Sequence, residues 1–449
     1  MIYPLRFCTK ILLAATIFLV ISANSYAITT IGIKDVDSAK TKIAFVGFTS
    51  TEDSVKSDAI FIADKIRRNL DSTGLFNVVV ESEETLEGAA PTITAESIPD
   101  FNKYSAQQVD MVLLAHLSRD NKDNLQIRVR LWDILDQRQL FAKLYAVSQA
   151  NYSKSAAEIA NEIFKSLTGE KIGHFNSKIV YVAETGDPYR RMKQLVTMDF
   201  DGDNRQVLTD GNDLVITPNF TKSGNRLFYV RYYENRPQIF VLDLSNGARK
   251  KIGEFGATNF APSAHPFNQN VIVFSAIING NTDIYKMDIT TSKATRLTKD
   301  PAIDTTPSFS PDGQKIIFSS SRQGKEQLYL MNENGSDFRK ISKQDGVYSK
   351  PIWSPDGKRI AFTKKLYGQF YAGTMLPDGN DEKLLIGAYL IESVRWSPNS
   401  RYLIYSKKRG AYGDDNIPKI YIYDTDTDFE FAIPTPADEG ATDPDWRNN

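Results

Sequence analysis

Hydrophobic residues follow two regimes along the chain. In the first third, apolar positions switch between helical and strand periods. Lys42 to Phe48 (KIAFVGF) reads as a buried strand. Val55, Ala59, Ile62, Ile66 and Leu70 then recur at spacings of three and four, the stripe of an amphipathic helix. Gly74 is placed to stop that helix before a strand at Phe76 to Val80. Val109 to Leu117 is another apolar run. Leu125, Ile127, Val129 and Leu131 alternate with Gln126, Arg128 and Arg130, as in a half-buried strand. Asp136 to Arg138 turns the chain into a partner strand at Leu140 to Val147. Ser155 and Glu158 form a capping-box pair for a helix carrying Ile159, Ile163, Phe164 and Leu167, which Gly169 ends. Residues 28–172 are thus predicted to form a small α/β domain.

From Lys178 onward the pattern repeats every 44 residues or so, the period of a propeller blade. Pro218, Pro262, Pro307 and Pro351 set the phase, at steps of 44, 45 and 44. Two residues after each come Phe220, Ala264, Phe309 and Trp353, and Trp396 and Trp446 continue the series. Ser310-Pro-Asp-Gly313 and Ser354-Pro-Asp-Gly357 are turns, in which Pro fixes φ and Gly accepts a conformation strained for other residues. Apolar strands follow the turns, as at Ile316 to Phe318 and Ile360 to Phe362, and further strands end near Asp243, Asp288, Asn332 and Asp424. Four strands per unit make a blade. Residues 179–209 match a unit without its first strand, and Pro444-Asp-Trp446 matches a first strand alone. The two ends are expected to complete one composite blade. The predicted fold class is multidomain: an N-terminal α/β domain followed by a six-bladed all-β propeller over residues 175–449, closed by the C-terminal strand.

The chain has 449 residues and a near-neutral balance of 54 basic and 55 acidic side chains. No positive excess is available to grip nucleic acid through its phosphates. Arg6 and Lys10 lead into an apolar stretch of 12 residues, Ile11 to Ser22, and Ser25-Tyr26-Ala27 is a small-x-small cleavage signal. Residues 1–27 are therefore expected to be a signal peptide cut after Ala27, since 12 apolar residues are too few to span a bilayer. Cleavage would remove the only cysteine, Cys8, and leave 52 basic against 55 acidic residues, a net charge of −3. The exported form is expected to be soluble, without stable membrane insertion.

Few residues point to catalysis. Asp199-Phe-Asp201-Gly-Asp203-Asn204 has the look of a calcium loop, but position six is not Gly and position twelve is Asp210 instead of Glu. An ordinary acidic hairpin turn is the expectation. His116, His174 and His265 are far apart and none has metal-ligand spacing. No G-x-S-x-G segment exposes a serine. Trp353, Trp396 and Trp446 recur at one point of the repeat and are expected to pack blades. No catalytic residue, metal or cofactor is predicted.

The repeats Pro307-Ser-Phe-Ser-Pro-Asp-Gly and Pro351-Ile-Trp-Ser-Pro-Asp-Gly resemble those of the TolB family, although prolyl oligopeptidase propellers share them. The junction Leu167-Thr-Gly169, Phe175 and Ile179-Val-Tyr-Val182 is more specific to TolB, as are Val36-Asp37-Ser38 and the order of signal, small domain and propeller. The third repeat departs from the pattern, with Ala264-His-Pro-Phe-Asn at its turn. The resemblance implies a non-enzymatic, periplasmic member of the Tol–Pal system, linking TolA of the inner-membrane complex with the lipoprotein Pal and supporting envelope integrity and outer-membrane constriction at division. Other envelope proteins are possible further partners, and the protein alone is expected to be monomeric. Carried onto this sequence, an arm at residues 28–39 with Ile28, Ile31, Ile33, Val36 and Asp37 would engage TolA. Thr258, Ala261, Thr305 and Tyr348, in the loops leading into successive blades, would meet Pal at the propeller mouth. The rival readings are an exported hydrolase gated by its propeller and a propeller binding a small ligand in its channel.

Overall fold

A computed structural model describes residues 40–50, 55–81, 97–187, 190–253, 258–411 and 413–448. The expected signal peptide and the arm with Ile28, Ile31, Ile33, Val36 and Asp37 lie outside the described residues. The N-terminal domain is a five-stranded sheet in the order β2-β1-β3-β4-β5. Its strands are β1 (Thr41–Ser50), β2 (Phe76–Glu81), β3 (Met111–Arg119), β4 (Leu125–Asp133) and β5 (Arg138–Ala146). β1 runs parallel to β2 and β3, and the rest pair antiparallel. Helices α1 (Lys56–Asp71) and α3 (Tyr152–Thr168) bury their apolar stripes on one face. The short α2 (Phe101–Ala106), which the sequence pattern did not mark, covers Ala44, Val46, Val112 and Leu114 on the other.

Local rules explain the helix ends. All five residues of the predicted α1 stripe are buried. Gly74 has φ +71°, and a Cβ there would lie 2.6 Å from the Phe429 ring, so both backbone and packing require glycine. Gly169 closes α3 in the left-handed conformation at φ +76°. The capping box predicted at Ser155 is displaced. Ser155 is buried inside α3, and Ser148 with Asn151 caps the turn that precedes it. Tyr152 draws the first turn inward, because its buried ring brings the phenol 2.9 Å from Asp58 on α1.

Six four-stranded antiparallel sheets follow among the described residues. Blades 1 to 5 span residues 215–251, 258–296, 304–340, 347–388 and 390–432. Blade 6 is composite: Gly440–Asn448 is its innermost strand, paired antiparallel with Ser177–Thr185. The departure at the third repeat is also explained. In the Ser-Pro-Asp-Gly turn of blade 3, Ser310 Oγ accepts from the Lys315 N–H and Asp312 from the Gln314 N–H. In blade 2, His265 Nδ1 takes over, accepting from the N–H groups of Phe267 and Asn268 at 3.1 Å each.

Trp353, Trp396 and Trp446 are all buried between blades. The Trp446 ring stacks 6.1 Å from Phe200, and its indole N–H donates to the Trp396 carbonyl of blade 5. Losing so large a buried side chain should cost about 3–5 kcal/mol. Trp446→Ala should show that loss in urea denaturation, and deleting residues 443–449 should lower the melting temperature sharply. An unchanged thermal transition in the truncated protein would show that the ring does not depend on its last strand.

Candidate functional site

The periodic prolines mark the wall of the central channel. Each innermost strand carries a bulge, and at each bulge one non-glycine residue is left-handed. These are Thr217, Ala261, Thr306, Lys350, Ser393 and Asp443, with φ between +47° and +56°. All but Ser393 precede a proline. Proline is tolerated at a bulge because that position donates no ladder hydrogen bond. A left-handed residue with a side chain costs on the order of 1 kcal/mol, so the ring must hold these six in place.

Polar links do part of that. Lys350 Nζ of blade 4 lies 3.3 Å from Ser393 Oγ of blade 5. Ser393 donates to the Asp443 carboxylate of blade 6, which accepts from the Thr217 N–H of blade 1 at 3.1 Å. Burial alone would raise the Asp443 pKa, but Lys350 and these hydrogen bonds hold it below the usual carboxylate range. Asp445, two residues on, is pushed up to about 6 by burial, which Arg395 and backbone N–H groups only partly offset. The channel here encloses about 50 Å³, lined by Thr217, Ala261, Thr306, Lys350 and Ser393. That is room for a few waters, far below the ~300 Å³ of a small ligand pocket.

The strand ends above this ring form the mouth. Thr258 pairs with Ile277, and Thr305 with Ser319; both threonines are half-buried, as is Ala261. Exposed apolar side chains gather at the same end of the blades. Ile277, Ile303, Val347 and Tyr389 flank the crossings between blades, and Tyr232, Tyr233 and Tyr367 sit at hairpin tips, Tyr367 being 95% exposed. The hairpin tyrosines were not anticipated; the available signal was an aromatic beside Glu234 or Gly368, where a turn needs none. Tyr348 corrects the sequence reading. It is fully buried in the core between blades 3 and 4, with its hydroxyl 2.8 Å from Lys364 Nζ and 2.7 Å from Glu382. Strand alternation turns Tyr348 inward and its neighbour Val347 outward.

The N-terminal domain occupies the opposite end of the propeller. Its core merges with blades 5 and 6 in one cluster that includes Phe164, Phe175, Phe200, Tyr402 and Trp446. The acidic turn Asp199–Asp203 grips α1: Lys65, 2% exposed, places Nζ 2.9 Å from Asp201 and 3.1 Å from Asp203. Arg68 adds a contact to Asp203 at 3.1 Å. Burial would raise the Asp203 pKa, but Arg68 and Lys65 lower it on balance. An ammonium group thus fills the place suggestive of a cation loop. Arg401 of blade 5 forks onto Asp424 at 2.9 and 2.7 Å and reaches Glu170 beyond α3 at 3.2 Å.

The model of the TolB beta propeller domain matches residues 164–448, and that of the TolB amino-terminal domain matches residues 29–140. A Tol-Pal system protein TolB of Rickettsia bellii (strain OSU 85-389) is 36% identical over 448 residues, covering 96% of this chain and 98% of that protein. The chain belongs to the TolB family. A TolB relative from Gluconobacter oxydans (strain 621H) is 34% identical over 237 residues, 53% of this chain and about half (49%) of that protein. The crystal structure of TolB from Acinetobacter baumannii matches with a TM-score of 0.77 at 26% identity, covering 91% of this chain and 96% of the other. Both TolB domains are therefore present. Among the described residues no helix is long and apolar enough to cross a membrane.

Removing one member of a buried ion cluster strands the others. Lys65→Met should cost ~2–4 kcal/mol, at the lower part of the range for buried pairs because Asp203 is partly hydrated. Urea denaturation of the full chain measures this; a loss within experimental error would show that apolar packing alone holds the seam.

Proposed function

We propose that this protein is the non-enzymatic periplasmic member of a Tol–Pal system, binding Pal at the propeller mouth and TolA through residues 28–39. In this role it supports envelope integrity and outer-membrane constriction at division. The observation that carries the reading is the set of exposed apolar side chains gathered at the mouth, at the end of the blades opposite the N-terminal domain. Apolar anchors ringed by polar residues suit a protein partner. The names of its relatives, Tol-Pal system protein TolB, supply the system. The pocket enclosed at the bulge ring, about 50 Å³, is too small to hold a ligand at that point of the channel. The arm alternates apolar Ile31 and Ile33 with polar or small neighbours, a pattern suited to adding a strand to a partner's sheet.

Ala261→Arg brings bulk and an unpaired charge to the bulge ring just below the mouth. It should weaken Pal binding by ~2 kcal/mol or more, read by calorimetric titration. Enlarging Thr258 or Thr305 should act similarly without unfolding the ring. Phe267→Glu, at an exposed turn on the far end of blade 2, is the control and should bind Pal normally. Normal affinity in all three mouth variants, with loss at Phe267, would place Pal elsewhere. Deleting residues 28–39 should abolish TolA capture while Pal capture and melting temperature stay unchanged; undiminished TolA binding would overturn the arm assignment.

A further inference from the structure

We propose that His174 is an acid-sensitive latch: a proton on its imidazole opens the seam between the N-terminal domain and the propeller while both remain folded. His174 is 0% exposed at the point where α3, the Asp199–Asp203 turn and blade 5 meet. Four aromatic rings box it in: Phe175 at 4.2 Å, Tyr402 at 4.5 Å, Phe164 at 5.0 Å and Phe200 at 5.1 Å. Neither Nδ1 nor Nε2 has a hydrogen-bond partner. A phenylalanine would fill an aromatic box without leaving polar atoms unsatisfied, so histidine here weakens the closed seam and adds no contact to it. What it adds is the capacity to take a proton.

The closed seam is built to refuse that proton. An imidazolium has two N–H donors to satisfy, and no acceptor meets either nitrogen. The nearby positive group is Arg401, whose guanidinium lies 5.5 Å from the Phe164 and Tyr402 rings. The carboxylates around the seam are directed elsewhere: Asp424 and Glu170 bond Arg401, and Asp426 lies 3.6 Å from it. Asp199, Asp201 and Asp203 face Lys65, with Lys178 also on Asp199 and Arg68 on Asp203. On α3, Lys165 is paired with Glu162. Burial, reinforced by Arg401, therefore lowers the His174 pKa to about 3.

Opening the seam to water would return the imidazole to an ordinary value near 6.5. The open form then binds the proton and the closed form does not, so the latch is fully shut above pH 6.5. It loosens as pH falls toward the closed-state value. Between pH 7.5 and 5.0 the open-to-closed ratio should rise roughly 30-fold. Among the described carboxyl groups, burial raises the pKa of Asp304, Glu326, Asp426 and Asp445, and of these Asp426 lies beside Arg401 at the seam. Asp445 faces the Phe220 N–H and Arg395, between blades, and keeps that environment when the seam opens. Asp426 is the rival titrating group.

Hydrogen exchange on the full mature protein detects rare opening. The Phe175 N–H, bonded to Asn161 Oδ1 of α3 at 3.0 Å, reports the seam. The Ile341 N–H in blade 3, bonded to the Leu328 carbonyl, reports the ring. After correction for intrinsic exchange, protection at the seam should fall about 30-fold from pH 7.5 to 5.0 and stay constant at Ile341. His174→Phe and His174→Gln should each abolish the pH dependence, whatever they do to the absolute protection; either alone is sufficient if the other fails to fold. Seam protection that is flat with pH, that falls together with Ile341, or that keeps its pH dependence without His174 would overturn the latch.

Discussion

A propeller blade is a sheet with two apolar faces, and each face is dry only when a neighbouring blade covers it. The ring therefore has to close, and the rest of this structure follows from how it does. Closure rests on nine residues, Gly440–Asn448, which must find Ser177–Thr185 across most of the chain. Until they pair, blades 5 and 6 face water and Trp396 and Trp446 lack cover. After they pair, Asp443 completes the polar chain from Lys350 through Ser393 to Thr217, which ties four blades together at the channel. The left-handed bulge residues carry a backbone cost that contacts between blades help to offset, as at Thr217 and Thr306, whose N–H groups donate to Asp443 and Ser275 of neighbouring blades.

Closure also explains where the N-terminal domain sits. The chain leaves α3 and enters the composite blade within about ten residues, so the domain is delivered to the place where the ring is sealed. Its apolar core continues into blades 5 and 6, flanked by the ion pairs of Lys65 and Arg401. An interface of this kind resembles a domain interior more than the polar contact expected between loosely linked domains. Lys65, through Asp201 and Asp203, and Arg401, through Glu170, fix its register, since these partners meet only in one docking geometry. Among the described residues nothing covers the mouth at the other end, and its apolar side chains are exposed.

Much of this was legible in the sequence because ring geometry recurs in it. The prolines kept their period because they mark the channel bulges, and Pro444-Asp-Trp446 declared itself as a strand without a blade. The α1 stripe was legible because every member is buried. Other features depend on three-dimensional neighbours. Tyr348 lies in a loop-to-strand segment whose facing is decided by the pleat, and one position separates an outward Val347 from an inward Tyr348. The acidic turn at Asp199 carries no trace of Lys65, which lies far away in the chain and meets it only once the domain docks. Ser155 and Glu158 satisfy a local capping rule, but the buried Tyr152 moves the helix start upstream. His174 had no motif at all, because its character comes from four rings on four segments: α3, the linker after it, the acidic turn and blade 5.

The strand that seals the ring also joins its two ends. Asp443 stands at the channel under the mouth, and Trp446, three residues later, is in the aromatic cluster shared with the N-terminal domain. Between them Asp445 is buried and accepts from the Phe220 N–H of blade 1. Every residue of this segment is thus committed to the channel, to a neighbouring blade or to the seam, and a β-strand is too stiff to move one contact while sparing the next. The mouth and the seam consequently share a mechanical element, although their surfaces lie at opposite ends of the propeller. Such an arrangement allows the N-terminal domain to be held firmly without covering the face left for a partner.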